Sequence, residues 1–318
     1  MASRTESTVA ELICFRTLVA GYRVWVQRWV VEFSGDGALL QPRLRWSQYL
    51  PVGLSLLGEF EGSHHGVVKP HTVRSISVDR RASLMTATVC WLSDRYDAPV
   101  DPISLVGRRF AFGGSALRCV ATTLAADVDQ RDLLGEVFLD PLLPDPVGSI
   151  VDPVVEFRVR SASPWVFATG DPATEFHPGR LAARLARRWN EMLVWRPDST
   201  PGDRGAATED SVPLEVIDEL TECTSAVSMS RFSVSEQRLT FDPNRRQTRT
   251  RPAVEVDAVI RCSAGSITTL LWFQTLMRFA VWSGVATRTT SGLGQVDIDQ
   301  VRRLSDLPHA VVPEWEIW

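Results

Sequence analysis

The sequence has few of the residues that build disulfide frameworks, zinc ribbons or membrane spans. Its five cysteines are scattered over 318 residues and never form a Cys-x-x-Cys pair. This argues against a disulfide framework and a zinc ribbon, so we expect all five to be buried as small apolar side chains. No apolar run approaches the length of a bilayer span, and the first residues lack a signal-peptide pattern. We therefore expect a cytoplasmic protein with no membrane partner.

Lysine is almost absent, and the net charge is slightly negative. Of the 34 basic residues only Lys69 is a lysine, and the formal net charge is −4 at pH 7. A nucleic-acid-binding protein is commonly basic, so the net charge argues against that class. Arginine, however, binds phosphate through a two-pronged fork and stacks on bases better than lysine does. The distribution of the arginines is therefore more informative than their sum.

Alternation and helical periodicity predict the same order of elements in both halves of the chain. In the first half we predict strands at 22–33, 72–78, 84–92 and 116–125, and helices at 47–61 and 101–108. In the second half we predict strands at 154–160, 228–241, 253–262 and from about residue 293. Helices are predicted there at 178–194 and 265–282, and an acidic loop at roughly 197–222. The order is β-α-β-β-α-β in each half.

A segment rich in proline separates the two halves. Residues 140–152 (DPLLPDPVGSIVD) carry three prolines and a glycine, which interrupt helices and strands. We therefore predict an N-terminal domain at 1–140, a linker at 141–152 and a C-terminal domain at 153–318. The fold class is α+β, with two tandem ferredoxin-like (RRM-like) βαββαβ domains and antiparallel sheets. The free sheet face, or the cleft between two such domains, commonly holds single-stranded RNA, although the fold alone gives no function.

A glycine-rich loop, SGVATRTTSGLGQV, follows the last predicted helix at 283–296. Gly284 stands where a helix end favours left-handed dihedral angles, and the later glycines permit close approach of the backbone. Hydroxyl, amide and guanidinium groups all donate to phosphate oxygens, so the loop is either a phosphate cradle or an ordinary glycine turn. No lysine follows the glycines, which excludes a Walker loop. The candidate RNA-binding residues of the loop are Gly284, Arg288, Thr289, Thr290, Ser291, Gly292 and Gly294.

Two stretches of the second half resemble the CRISPR-associated endoribonucleases of the Cas-six type, which process pre-crRNA and belong to the RAMP superfamily. The segment LMRFAVWSGVATRTTSGLGQV at 276–296 is similar to the family's helix and its G-x-G-x-x-[ST]-x-x-G-x-G-x-V loop, with Ala286 in place of one glycine. Upstream, Ser163, Pro164 and Phe167, followed by the run R-R-W-N at 187–190, resemble a second family stretch. The resemblance implies tandem ferredoxin-like domains and an RNA substrate.

Histidines gather around the single lysine in the segment SHHGVVKPHTV at 63–73. This segment is similar to the family's N-terminal stretch, in which a histidine precedes K-x-[FY]-[TS]. Lys69 and Thr72 match that pattern, His71 replaces the aromatic residue, and His64 or His65 takes the place of the histidine. The resemblance implies catalytic roles for His64, His65 and Lys69. Tyr49 is a further candidate, although its spacing to the histidines differs from that of the family.

These residue types fit cleavage of RNA without a metal or any other cofactor. A neutral imidazole can take the proton of the ribose 2′-OH, and a second imidazole or a tyrosine can protonate the leaving 5′-oxygen. An ammonium group can stabilise the charge on the phosphorane. Two alternatives stay open for the histidines, namely solvated loop residues and a metal site. Neighbouring histidines rarely converge on one ion without a carboxylate or thiolate.

Arginines form two further groups that could follow an RNA backbone. Arg184, Arg187 and Arg188 fall on one side of the predicted helix 178–194, opposite an apolar stripe. Arg245, Arg246, Arg249 and Arg251 fall between two predicted strands, where a hairpin tip is expected. Both groups would bind RNA in a salt-dependent manner, but a solvated face and a solvated hairpin explain them equally well.

The resemblance therefore implies a metal-independent endoribonuclease that cuts CRISPR repeat RNA into products with 2′,3′-cyclic phosphate and 5′-OH ends. The alternative is a non-catalytic RNA-binding RAMP subunit of a CRISPR effector complex. In that case the partners would include other CRISPR effector subunits as well as the repeat RNA. A third possibility is a ferredoxin-like metabolic or regulatory domain with no role in RNA binding.

Overall fold

The computed structural model describes the two predicted sheets and most of the helices of the second half. The residues described are 25–35, 71–79, 81–93, 102–112, 115–128, 154–166, 177–193, 212–222, 227–241, 249–263, 267–286, 289 and 293–302. The predicted helix 47–61 and the predicted linker 141–152 lie outside them. The domain boundary therefore stays a prediction.

The first half forms an antiparallel sheet in the order β2-β3-β1-β5-β4. Its strands are β1 (Trp25–Ser34), β2 (His71–Asp79), β3 (Leu84–Ser93), β4 (Arg109–Phe112) and β5 (Ser115–Val128). Alternate residues of β1 and β3 fill its core because successive side chains of a strand point to opposite faces. Val31 lies opposite Ala87 and Phe33 opposite Met85, and all four are buried.

The predicted helix at 101–108 is wrong. The chain forms a short 3-10 helix at Pro102–Leu105 and then turns into strand β4. Ile103 and Val106 are exposed and only Leu105 is buried, so no apolar stripe holds a longer helix against the sheet. The backbone of Gly107 and Arg108 instead bonds to Cys119 of β5, which adds β4 as a fifth, edge strand.

The second half forms a four-stranded antiparallel sheet in the order β7-β8-β6-β9. Its elements are β6 (Val155–Ser161), α1 (Pro178–Leu193), α2 (Leu214–Glu222), β7 (Val227–Phe241), β8 (Arg249–Cys262), α3 (Ile267–Ser283) and β9 (Val296–Arg302). In both sheets the strands of a βαββαβ unit occur in the order second, third, first, fourth. This order confirms the predicted α+β class with tandem ferredoxin-like units.

One face of the second sheet packs against helices α1 and α3. Phe157 of β6 contacts Phe273 with ring centroids 5.9 Å apart. Trp189 of α1 meets Phe279 of α3 at 5.1 Å in an edge-to-face arrangement, which aromatic pairs favour. Helix α3 is buried almost all round, as its sequence predicts. The opposite face of this sheet carries polar residues.

The predicted acidic loop at 197–222 is wrong in its last part, where the chain forms helix α2. Val216, Ile217 and Leu220 recur at helical spacing and are buried against α1 and α3. The segment before this helix is held by the Asn190 side chain. Its amide nitrogen donates to the Val212 carbonyl at 3.1 Å, and its oxygen accepts from the Val212 N–H at 2.7 Å.

Several smaller expectations can be compared with the described residues. Strand β9 begins at Val296 rather than near residue 293. Cys90, Cys119 and Cys262 are buried, as predicted, and burial raises the pKa of the Cys119 thiol. Among the residues that the structure describes, no helix is both long and apolar enough to cross a membrane.

We predict that Asn190→Ala lowers the free energy of unfolding by about 1–3 kcal/mol, because both backbone groups of buried Val212 lose their partner. Chemical denaturation followed by circular dichroism measures the loss. Arg187→Ala, at an exposed position of the same helix, is the control and should change the stability little. An unchanged denaturation midpoint for Asn190→Ala would show that the side chain does not hold this segment.

Candidate nucleic-acid interface

The two units meet where strands β1 and β2 contact the last turn of helix α3. The Thr72 hydroxyl, fully buried in β2, donates to the Trp282 carbonyl at 2.7 Å. Arg74 donates to the Val281 carbonyl at 2.8 Å. From β1, the guanidinium carbon of Arg28 lies 4.3 Å from the centroid of the Trp282 ring, within cation–π range. The N-terminal unit thus binds the end of a helix that belongs to the C-terminal unit.

The chemistry of this contact follows from the structure of a helix end. The last carbonyls of a helix have no partner within the helix, and together they carry a partial negative charge. A hydroxyl donor and a cation therefore stabilise the end of α3. Gly284 follows with φ +70°, and its N–H donates to the Ala280 carbonyl at 2.8 Å. This confirms the left-handed conformation predicted for Gly284.

The two ends of the glycine-rich loop touch each other. The Val285 N–H donates to the Gly294 carbonyl at 2.8 Å. A Cβ atom on Gly284 would lie 2.9 Å from the Gly294 carbonyl oxygen, and one on Gly294 would lie 2.8 Å from the Ala286 Cβ. Both glycines also have a positive φ, which side chains disfavour. The backbone of the loop can close here only because these positions lack a side chain.

The Ser-Pro pair that the resemblance singles out binds the end of the same loop. The Ser163 hydroxyl accepts from the Gln295 N–H at 2.9 Å, and the Pro164 carbonyl accepts from the Gly294 N–H at 2.9 Å. The Ala162 N–H donates to the Gln295 carbonyl at 2.9 Å. Two stretches about 130 residues apart in the sequence are therefore in direct contact at the base of the loop.

Three candidate RNA-binding residues of the loop are described. Gly284, Thr289 and Gly294 are all buried, with Thr289 only 3% exposed. The N–H groups of Gly284 and Gly294 donate to protein carbonyls. These residues form the packed base of the loop, and their contact with RNA stays a prediction. Arg288, Thr290, Ser291 and Gly292 lie outside the described residues, so their RNA contacts stay a prediction.

The catalytic candidates lie outside the described residues, whereas His71, which is close to them in the sequence, is described. Tyr49, His64, His65 and Lys69 are among the residues that the structure does not describe. His71 is the first residue of β2, lies opposite Trp91 and is fully buried.

The structure describes the three arginines on α1 and two of the four at the predicted hairpin tip. On α1, Arg187 is exposed and Arg184 and Arg188 are half-buried. The apolar stripe of this helix is buried, as predicted. At the hairpin, β7 ends at Phe241 and β8 begins at Arg249. Arg249 and Arg251 therefore belong to strand β8 and not to the tip, because the alternation of the strand extends further than predicted. Arg245 and Arg246 lie outside the described residues.

Charges on the open face of the C-terminal sheet are paired with each other. Arg158 bonds to Asp257 at 2.8 Å and Arg160 to Asp299 at 2.7 Å. The hydrogen bond from Arg158 holds the pKa of Asp257 below its usual value, and the same bond raises the pKa of Arg158. RRM-type binding stacks bases on aromatic side chains of this face, and the described residues of β6, β8 and β9 that face this way include no aromatic residue. The arginines on the described part of this face are thus engaged with neighbouring carboxylates.

Sequence reasoning missed Arg74, Arg28 and Asp297, which connect the two units. Arg74 bonds to Asp297 at 2.5 Å in addition to its contact with α3. A lone arginine in a strand is usually solvated, and nothing in the sequence indicates an acceptor more than 200 residues away. The one local signal is that Thr72 and Arg74 interrupt the apolar alternation of β2.

We predict that Gly294→Ala destabilises the protein more than Gly107→Ala. Both glycines have a positive φ, at +70° and +90° respectively, so both variants carry a conformational strain of roughly 1–2 kcal/mol. Only at Gly294 would the new Cβ meet other atoms, since nothing lies within 4 Å of a Cβ at Gly107. The additional loss should be about 1–3 kcal/mol, measured by chemical denaturation. Equal losses would show that close packing is not the reason for glycine at 294.

We also predict that the double variant Asp257→Asn, Asp299→Asn binds single-stranded RNA more tightly, because it releases two arginines on the sheet face. The slope of log affinity against log salt should steepen by about 0.7 for each additional phosphate that the arginines neutralise. Fluorescence anisotropy with an RNA oligonucleotide measures both effects. The control is Glu215→Gln, Asp218→Asn on α2, which removes the same charge at exposed positions. Equal effects of the two double variants would mean that only the net charge matters.

Comparison with known proteins gives the fold. The sequence matches no protein-family model and no curated protein. Among solved structures, a Cas6 product complex aligns with a TM-score of 0.53 and 17% identity, covering 86% of this chain and 100% of that chain. A second Cas6 product complex gives 0.51 and 16%, covering 86% and 99%. Cas6 from Thermus thermophilus gives 0.51 and 17%, covering 88% and 100%. The chain therefore has the fold of the Cas6 proteins.

Proposed function

We propose that this chain is a metal-independent endoribonuclease that cleaves CRISPR repeat RNA. The observation that carries the proposal is the hydrogen bond from the Thr72 hydroxyl to the Trp282 carbonyl. Thr72 follows Lys69 by three residues, and Trp282 precedes Gly284 by two. Three residues of chain span at most about 11 Å. The bond therefore keeps the end of the histidine–lysine segment within reach of the beginning of the glycine-rich loop.

The fold supports the same proposal. The Cas6 structures that this chain resembles include two product complexes, and the resemblance extends over nearly all of their length. Their shared fold supports extending RNA cleavage to this chain, since both the histidine–lysine segment and the glycine-rich loop have counterparts in the family's sequence pattern.

The proposed reaction needs only side chains of this protein. His64 or His65, as a neutral imidazole, takes the proton of the ribose 2′-OH, and the 2′-oxygen forms a bond to the adjacent phosphorus. The bond from phosphorus to the 5′-oxygen breaks, and the other histidine or Tyr49 protonates the leaving oxygen. The Lys69 ammonium stabilises the negative charge on the phosphorane. The products are a 2′,3′-cyclic phosphate and a 5′-OH end.

RNA on either side of the cleaved bond would contact arginine side chains and the glycine-rich loop. Arg288, Thr290, Ser291 and Gly292 belong to the same loop in the sequence and would supply donors to phosphate. Arg187 on α1 is exposed, and Arg245 and Arg246 precede β8. Since the charged sheet face is neutralised internally, we place the RNA at the junction of the two units. Other CRISPR effector subunits are further proposed partners.

We predict that the purified protein cleaves repeat RNA in the presence of EDTA, and that the double variant His64→Ala, His65→Ala slows cleavage by roughly 10²–10⁴-fold. Its affinity for RNA should change little, because imidazoles contribute little to phosphate binding at neutral pH. Denaturing gels of end-labelled RNA measure the rate, and a phosphatase-resistant 3′ end identifies the cyclic phosphate. The control is His309→Ala, a histidine far from the segment in the sequence.

Other results separate the remaining functions. Tight RNA binding without cleavage by the unmodified protein would favour a non-catalytic RNA-binding subunit of a CRISPR effector. Cleavage that EDTA abolishes would refute the metal-independent reaction. If the protein does not bind RNA at about 150 mM salt, both RNA-related functions are refuted. Contacts with phosphate dominate the affinity of proteins for RNA, so an RNA-binding protein should still bind at this salt concentration.

A further inference from the structure

The side chain of Arg74 contacts both ends of the glycine-rich loop at once. Its Nη1 donates to the Val281 carbonyl at 2.8 Å and to the Val296 carbonyl at 3.4 Å. Its Nη2 bonds to the Asp297 carboxylate at 2.5 Å. Val281 lies three residues before Gly284, and Val296 directly follows Gln295. One guanidinium group therefore connects strand β2 to the chain on either side of the loop.

A β-bulge directs Arg74 toward the second unit. The register of β2 against β3 shifts between Val73 and Ser75, so Arg74 has no partner residue in β3. Bulges bend a strand locally and change the direction of a side chain. Arg74 can thus reach the other unit while Val73 stays in the core and Ser75 stays exposed. A regular strand would pair Arg74 with β3 like its neighbours.

Arginine suits the chemistry of this contact better than lysine does. Arginine has five N–H donors in a planar fork, which can serve a helix-end carbonyl, a strand carbonyl and a carboxylate together. Its side chain is 19% exposed, compared with 49% for Arg158 in the ion pair with Asp257. The Asp297 side chain is 51% exposed, so solvent screens this ion pair, and the partly buried bonds to the two carbonyls contribute more to holding the chain.

We propose that Arg74 is a positioning residue that fixes the glycine-rich loop relative to the histidine–lysine segment. The proposal rests on the proposed endoribonuclease function. Strand β2 begins at His71, directly after the segment with His64, His65 and Lys69, so Arg74 couples that segment to both ends of the loop. Arg74 does not touch the RNA in this arrangement. It sets the rate of the cleavage step and leaves RNA affinity nearly unchanged.

The test compares Arg74→Ala, Arg74→Lys and Asp297→Asn with the matched control Arg158→Ala, which removes an ion pair on the open sheet face. Arg74→Ala should lower the single-turnover cleavage rate at saturating RNA by roughly 10- to 100-fold, since a misplacement of about 1 Å at a reacting group has effects of this size. The dissociation constant of uncleaved RNA should change much less. Arg74→Lys should recover part of the rate, and Asp297→Asn should lose less because both carbonyl contacts remain. Arg158→Ala should cleave like the unmodified protein.

Two results would overturn the positioning role. One is an unchanged cleavage rate in Arg74→Ala. The other is a loss of rate and of RNA affinity in the same proportion, with a matching loss in Asp297→Asn and no recovery in Arg74→Lys, because a general loss of structure has that signature. Circular dichroism confirms that each variant is folded before the rates are compared.

Hydrogen exchange distinguishes failure of this inference from failure of the proposed function. In Arg74→Ala, amides in peptides covering 276–296 should exchange faster than in the unmodified protein, whether or not the protein cleaves RNA. If the unmodified protein does not cleave RNA, the endoribonuclease proposal fails, and faster exchange still supports Arg74 as the residue that fixes the loop. Unchanged exchange in these peptides refutes that role even if cleavage is observed.

Discussion

The end of helix α3 is the place on which the arrangement of the two units depends. A helix leaves its last carbonyls without partners, and this helix ends between two sheets, where burial makes unsatisfied carbonyls costly. The N-terminal unit supplies the missing donors through Thr72 and Arg74. Gly284 then reverses the chain in a left-handed conformation that side chains disfavour. One requirement of backbone hydrogen bonding therefore determines how the units join, where the glycine-rich loop begins and which strand lies beside it.

The glycine-rich loop closes through contacts between its own two ends. Gly284 and Gly294 allow these ends to cross at contact distance, and Ser163 and Pro164 bind the end that leads into β9. The described amides at this base donate to carbonyl and hydroxyl groups of the protein. The motif therefore has glycine at the two described positions where a side chain would prevent the backbone from closing.

Several arginines of this protein, whose net charge is −4, are paired locally with partners in the protein. Acidic residues on the C-terminal sheet are bonded to arginines of neighbouring strands, so this face attracts polyanions weakly. At the junction, Arg28 and Arg74 are engaged with the helix end and with Asp297. Arginine suits these contacts because its planar group can stack on an aromatic ring and bond to several acceptors. The near absence of lysine is consistent with surface cations that bind particular carboxylates, carbonyls or aromatic rings.

The sequence by itself determined the type and order of most elements that the structure describes. Four elements are predicted correctly from local patterns, namely β6 and β8 from alternation, α1 from its apolar stripe and α3 from its uniformly apolar sequence. Such patterns can be read from neighbouring residues because burial recurs with the period of the strand or helix. The 3-10 helix at Pro102–Leu105, strand β4 and helix α2 were not predicted, since each depends on contacts with distant segments such as Cys119 and Asn190. The left-handed Gly284 was predictable from its position after a helix, whereas the burial of Thr289 and Gly294 was not. Only the tertiary structure decided that Arg74 bonds to residues more than 200 positions away. The residues around an arginine in the sequence do not indicate which acceptors the fold will place beside its side chain.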